Sequence, residues 1–186
     1  TNFTTLGSGN DPVNAEARDA SEATTKQLNN ANFATPAEGS SPRMQMYLWD
    51  PANVYRLVYN APSSFATRKP NTKDAAFGPA LTATGITANV ALTTPNDGCT
   101  AIAEDLTGKV ALIQRGTCNF SVKVKNAQLK GATAAIIYNA PTSTSFGQMG
   151  GTDATVTIPS ILIENSEGQA IVNLLASTPV NVTLSD

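Results

Sequence analysis

Histidine is absent from the 186-residue sequence, cysteine occurs twice, tryptophan once, and charged residues make up only 14% of the chain. Each shortage excludes something. Without an imidazole there is no histidine acid–base pair, no Ser–His or Cys–His nucleophile, and the usual zinc ligand sets cannot be assembled. Two cysteines alone do not complete a structural zinc site. The charged fraction falls well below the roughly 25% of average soluble domains. The net charge of −2 supplies no basic field for nucleic acid or an anionic membrane surface, so neither is expected as a partner. No run approaches the ~18 apolar residues of a membrane span, and the opening TNFTTLGSGN is not a charged-then-apolar leader. If the protein is exported, its signal was removed or lies outside this sequence.

What fills the gap is Thr, Asn, Ser and Ala, a neutral polar texture common in secreted proteins. Residues 1–43 are poor in large apolar side chains: Phe3, Leu6, Leu28 and Phe33 are too sparse to build a core. A short helix is expected over 14–28, with only alanine on its apolar face. RMQMYLW (43–49) alternates, with Met44, Met46 and Leu48 on one face, and reads as a strand. From residue 50 onward the texture changes to short strands and frequent turns. Strands are expected at 54–59, 86–92, 109–114, 133–138, 154–158, 160–164 and 180–184, with a turn near 95–98.

Two helices are expected among them. One covers 121–130, with Asn119 or Ser121 as N-cap and Gly131 just past its end. Phe120, Val124 and Ala127 share its inner face, while Lys123, Lys125 and Lys130 stay in water. The other runs from about 167 to 176, with Ser166 and Gln169 as a capping box and Ile171, Leu174 and Leu175 packing inward.

Residues 108–139 therefore form a strand–turn–helix–strand unit, which raises the question of a nucleotide site. A dinucleotide turn needs three spaced glycines at a helix N-terminus. The turn Arg115-Gly116-Thr117-Cys118-Asn119-Phe120 has one glycine and a bulky Phe, and Asn139 stands where an acidic residue is needed. The unit reads as scaffold. Cys99 and Cys118 lie 19 positions apart, each beside a turn. The simplest reading is one disulfide, contributing roughly 3 kcal/mol in the chain-entropy account; the alternative is a reactive Cys118 at a helix N-terminus. Sequons at Asn2, Asn119 and Asn181 are of a kind frequent by chance in an Asn/Thr-rich chain. Glu104–Asp105 and Glu164–Glu167 read as surface charge or helix-start residues. Arg115 ends an apolar strand where α/β folds collect ligands, with a structural role as the alternative.

The stretches GKVALIQRGTCNF, VKVKNAQLKGA and AAIIYN within 108–139, with PSILI at 159–163 and a helix after it, resemble the protease-associated (PA) domain. The resemblance covers about 50–186. It implies a strand-rich α/β domain of swivelling β/β/α architecture, a small β-barrel or sandwich flanked by two or more short helices. It also implies a non-catalytic role that recruits, orients or gates protein partners. For such a role the expected contact residues are Arg115, Phe146 and Met149, the last two on the glycine-rich segment 146–151. If that segment is only a spacer, Phe146 and Met149 fold back over the core.

NNANFATPAEGSSPRMQMYLW (29–49) and GNDPVNAEARDAS (9–21) resemble the segment ahead of the catalytic helix in fungalysin-type zinc metalloendopeptidases. This implies an arm, 1–49, from a secreted enzyme's catalytic domain, with the PA domain, 50–186, inserted before the HExxH helix. Asn30, Ala31 and Asn32 then lie near the edge that holds substrate backbone. The implied partners are protein or peptide substrates and the parent catalytic domain. Zinc is expected only in that parent domain, because this sequence has no HExxH.

Overall fold

The computed structural model describes residues 13–19, 31–37, 40–47 and 54–186. The chain divides into an N-terminal unit, Thr1–Ala52, and a C-terminal unit, Asn53–Asp186.

In the N-terminal unit the strands β1 (Asn14–Asp19), β2 (Ala31–Ala34) and β3 (Arg43–Tyr47) form a sheet of order β1-β3-β2. β1 runs parallel to β3, and β2 antiparallel to it. The expected helix over 14–28 is corrected at its described end: 14–19 is strand. An alanine-only face gives a helix little to bury, whereas extended backbone at 14–19 finds a ladder on β3. Met44 lies opposite Phe33, and Met46 opposite Ala31; Phe33, Met44 and Met46 are exposed.

The C-terminal unit is built on a seven-stranded sheet. Its strands are β4 (Leu57–Ala61), β5 (Thr72–Asp74), β6 (Ile86–Leu92), β7 (Val110–Gln114), β8 (Ala134–Tyr138), β9 (Ser160–Ile163) and β10 (Asn181–Leu184), in the order β4-β10-β6-β7-β8-β9-β5. The central four, β6 to β9, are parallel; β10, β4 and β5 join antiparallel. The sheet curls, because the residues leading into β4 reach the opposite edge. Thr72 N donates to Val54 O at 2.7 Å, and Arg56 N donates to Thr72 Oγ1 at 3.2 Å.

The central strands show why the apolar runs do not alternate with polar residues: both faces are covered. Val110, Leu112, Ala134, Ile136, Tyr138, Ile161 and Ile163 face one core, shared with helix α2 (Asn165–Leu175) through Ile171. Ala111, Ile113, Ala135, Ile137 and Leu162 face the other, shared with helix α1 (Phe120–Leu129) through Val124 and Ala127. α1 ends where a residue without a Cβ can turn left-handed. Gly131 sits at φ +86°, its N–H donating to Gln128 O and that of Ala132 to Ala127 O, which satisfies two terminal carbonyls.

Two expectations need correction here, and one strand has no counterpart among them. Residues 154–158 are a loop, because Asp153 Oδ1 accepts from Thr155 N and Oγ1 and folds them into a tight turn. Val156 is buried there all the same. The three-residue strand β5, with no apolar residue, was not expected at all. The capping box at Ser166 and Gln169 is not formed: α2 begins two residues earlier, with Glu164 as N-cap and no side-chain cap bond.

Candidate functional site

The cleft with the strongest chemistry lies beyond the C-terminal ends of β7 and β8, where parallel strands leave their loops. It measures about 500 Å³ and is lined by the turn 115–120 together with Gly150 and Gly151. Arg115 forms one wall. Its Nη1 donates to Asn139 Oδ1 at 2.9 Å, Ser143 Oγ at 2.9 Å and Ser145 O at 2.8 Å, and its guanidinium carbon lies 5.3 Å from the centre of the Phe120 ring. Asn139, buried at the end of β8, holds the same loop by donating to Ser145 O at 3.0 Å.

Phe146 and Met149 do not stand out from this wall. Met149 is fully buried in the α1-side core, and its backbone joins the end of β5, with its N–H donating to Asp74 O and its C=O accepting from Ala76 N, both at 2.8 Å. Its expected role as an exposed contact residue is therefore corrected: a thioether enclosed on all sides has no surface to offer. Phe146 is half-buried against the same core, with Lys73 Nζ 5.5 Å from its ring centre. Arg115, half-buried, remains at the cleft. In the N-terminal unit Ala31 and Asn32 are exposed on β2, and Asn32 Nδ2 lies 3.5 Å from Gln45 Oε1. Asn30 lies outside the described residues.

Cys99 and Cys118 are joined by a disulfide with Cα atoms 5.7 Å apart. Beside it stands a group that sequence reasoning placed in water. Lys123 is fully buried, its Nζ 2.5 Å from Asp97 O and 3.2 Å from Cys99 Sγ. Burial pulls its ammonium below the ordinary lysine range, and the charge of Asp97 opposes that. Thr117, β-branched, is held at φ +56°, a region such residues avoid, and donates to Asp97 Oδ2 at 3.2 Å. Replacing both cysteines by serine should lower unfolding free energy by about 3 kcal/mol, read as a shift in urea midpoint. An unchanged midpoint would remove the bond from the list of stabilising contacts.

A second buried polar cluster lies on the other face. Glu167 in α2 accepts from Tyr59 OH at 2.6 Å and from Arg68 Nε at 2.9 Å, and pairs with Arg68 Nη2. Burial pushes Glu167 up, but the Arg68 and Tyr59 hydrogen bonds and the Arg68 charge together hold it below the ordinary carboxylate range. Burial, then Glu167, pushes the Tyr59 phenol up. Of the two readings given for Glu167, surface charge is corrected and helix start holds: it lies in the first turn of α2, on the inward stripe, and fastens the helix to β4 and the 63–68 turn.

A strand-rich α/β module is what this geometry defines, and residues 83–171 match the PA domain. Residues 1–77 match fungalysin metallopeptidase (M36). The chain thus holds a PA domain with a fungalysin-type segment ahead of it. The fungalysin match runs past the division at residue 53, yet β4 and β5 pair into the seven-stranded sheet, so the structural boundary falls at 53. Leucine aminopeptidase 2 of Trichophyton equinum is 35% identical over 92 residues, covering 48% of this chain and 18% of that protein. Signal peptide peptidase-like 4 of Oryza sativa subsp. japonica is 34% identical over 115 residues, covering 59% and 21%. The aminopeptidase from Aneurinibacillus sp. strain AM-1 superposes with a TM-score of 0.52 at 32% identity, covering 71% of this chain and 32% of that one. The chain spans about a fifth of the length of the curated relatives it matches.

A catalytic zinc does not fit the residues present. The sequence offers no histidine, and among the described residues no three Asp, Glu or Cys side chains cluster as ligands. Among the same residues no helix is long and apolar enough to cross a membrane.

Proposed function

We propose that residues 50–186 are a non-catalytic accessory domain of an extracellular zinc metalloendopeptidase that recruits protein substrates or gates their access. The arm, 1–49, belongs to that enzyme's catalytic domain, zinc resides there, and this chain alone cleaves nothing. The observation that carries the reading is the open cleft at the strand ends, with Arg115 as a positioned cation. Extended peptides offer carbonyl and carboxylate groups that suit a guanidinium.

The way the unit closes on itself supports insertion into a parent chain. β4 and β10 pair with Leu57 opposite Leu184, Ser185 N donates to Arg56 O at 3.3 Å, and Arg56 pairs with Asp186 at 2.8 Å. Neighbouring ends are what an inserted domain requires.

A purely structural insert is the second reading, favoured by the burial of Met149 and the packing of Phe146. Deleting residues 51–185 from the parent enzyme separates the two. Recruitment predicts that cleavage of a fibrous protein falls roughly tenfold or more while a small chromogenic peptide is cleaved as before, since remote contacts change affinity and turnover only for substrates that reach them. Equal loss on both substrates would establish folding support and end the recruitment reading.

A further inference from the structure

The disulfide is asymmetric in its surroundings. Cys118 lines the open cleft with Arg115, while Cys99 lies against the buried Lys123, its Sγ 3.2 Å from Nζ. We propose that Cys118 is a thiol-exchange site, at which a small-molecule thiolate attacks Sγ from the cleft and Cys99 departs as a thiolate against the Lys123 ammonium.

The step balances without a further reagent. The incoming sulfur forms a bond to Cys118 Sγ as the Cys118–Cys99 bond breaks, and the bonding pair leaves on Cys99. The incoming thiol is oxidised to a mixed disulfide and Cys99 is reduced. A second thiolate attacking the mixed disulfide releases the oxidised small molecule and leaves Cys118 reduced.

Three features favour this direction. Exchange is faster when the departing sulfur is the more acidic, and a neighbouring ammonium acidifies a thiol. Lys123 is already in place, anchored on Asp97 O at 2.5 Å, so no group has to move to receive the new charge. Its burial lowers its own affinity for a proton, a penalty that an adjacent thiolate relieves. At the attacked sulfur, the Arg115 guanidinium on the same cleft wall favours approach of an anion.

Glutathione is the probe. The full 186-residue chain is pulsed with it together with an alkylating agent that caps each freed thiolate, then digested and mapped by mass spectrometry. The expected product carries glutathione on Cys118 and the alkyl cap on Cys99. Glutathione on Cys99, an even distribution, or no adduct overturns the proposal. In a second arm Lys123→Met should be reduced by glutathione roughly tenfold more slowly when folded and at the wild-type rate in urea. Equal rates in the folded state also overturn it. Loss of structure would accelerate reduction rather than slow it, and should the variant not fold, the site of the wild-type adduct decides alone.

Discussion

Glu167→Ala is expected to lower the unfolding free energy of the PA domain by about 2–3 kcal/mol, the cost of stripping a buried hydroxyl of its acceptor and of losing a half-exposed ion pair. The cost has two parts. Tyr59, buried beneath α2, loses the acceptor of its hydroxyl and is left with an unpaired donor in a low-dielectric site. Arg68 is two-fifths exposed and regains water, so its share is smaller. Glu167→Gln separates these parts, because its amide oxygen still accepts from Tyr59 while the charge is gone; a loss of roughly half is expected. The pH dependence has a definite sign. The folded carboxyl is held below its ordinary value, so its contribution is complete above the unfolded value of roughly 4.3 and is lost as pH falls through the folded one. The gap between the urea midpoints of wild type and Glu167→Gln should therefore be full at pH 7 and narrow as pH falls below roughly 4.3. A gap that persists unchanged at pH 3 would show that geometry, not charge, sets the difference.

Glu167 and Lys123 together show how far the sequence could be read. The apolar runs at 110–113, 134–138 and 160–163 disclosed the parallel centre of the sheet, because a strand covered on both faces has no polar side to show. Gly131 disclosed the end of α1, because only a residue without a Cβ takes φ +86° readily there. The two buried charges were placed by the same helical period that placed their apolar neighbours. Lys123 falls between Phe120 and Val124 on the inward stripe of α1, and Glu167 falls one turn before Ile171 on that of α2. Residue type argued for water and position argued for burial, and position prevailed because each charge found a partner: a backbone carbonyl and a sulfur for Lys123, a guanidinium and a phenol for Glu167.

Other features left no local trace. β5 is held by Thr72, whose hydroxyl accepts from Arg56 N and donates to Val54 O, contacts 16 and 18 residues away. The strand at 14–19 depends on a ladder with 43–47. At the candidate site, Arg115 was legible from its place at the end of an apolar strand. The anchoring of Met149 was not, because it depends on a backbone bridge to Ala75.

Gly168→Ala carries the other large expected effect, about 4 kcal/mol, beyond the usual range for overpacking. In an exposed helix the substitution stabilises, since alanine has the better helical propensity. Here the sign reverses, because a Cβ at 168 would overlap the Cβ and ring of Tyr138 beneath it. Neither side can yield easily. Tyr138 lies at the centre of the sheet, paired with Gln114 on β7 and Ile163 on β9, and its hydroxyl accepts from Asn96 Nδ2 at 2.7 Å. α2 must then lift, and it carries Glu167 away from Tyr59 and Arg68, so one added methyl disturbs both the core and the buried ion pair. Tyr138→Ala removes the ring but keeps its Cβ, so the double variant should cost clearly less than the sum of the single ones while not returning to wild type. Strict additivity in urea midpoints would mean that α2 and β8 are not in the close contact the structure gives them, and that the helix packs on this face through Ile171 alone.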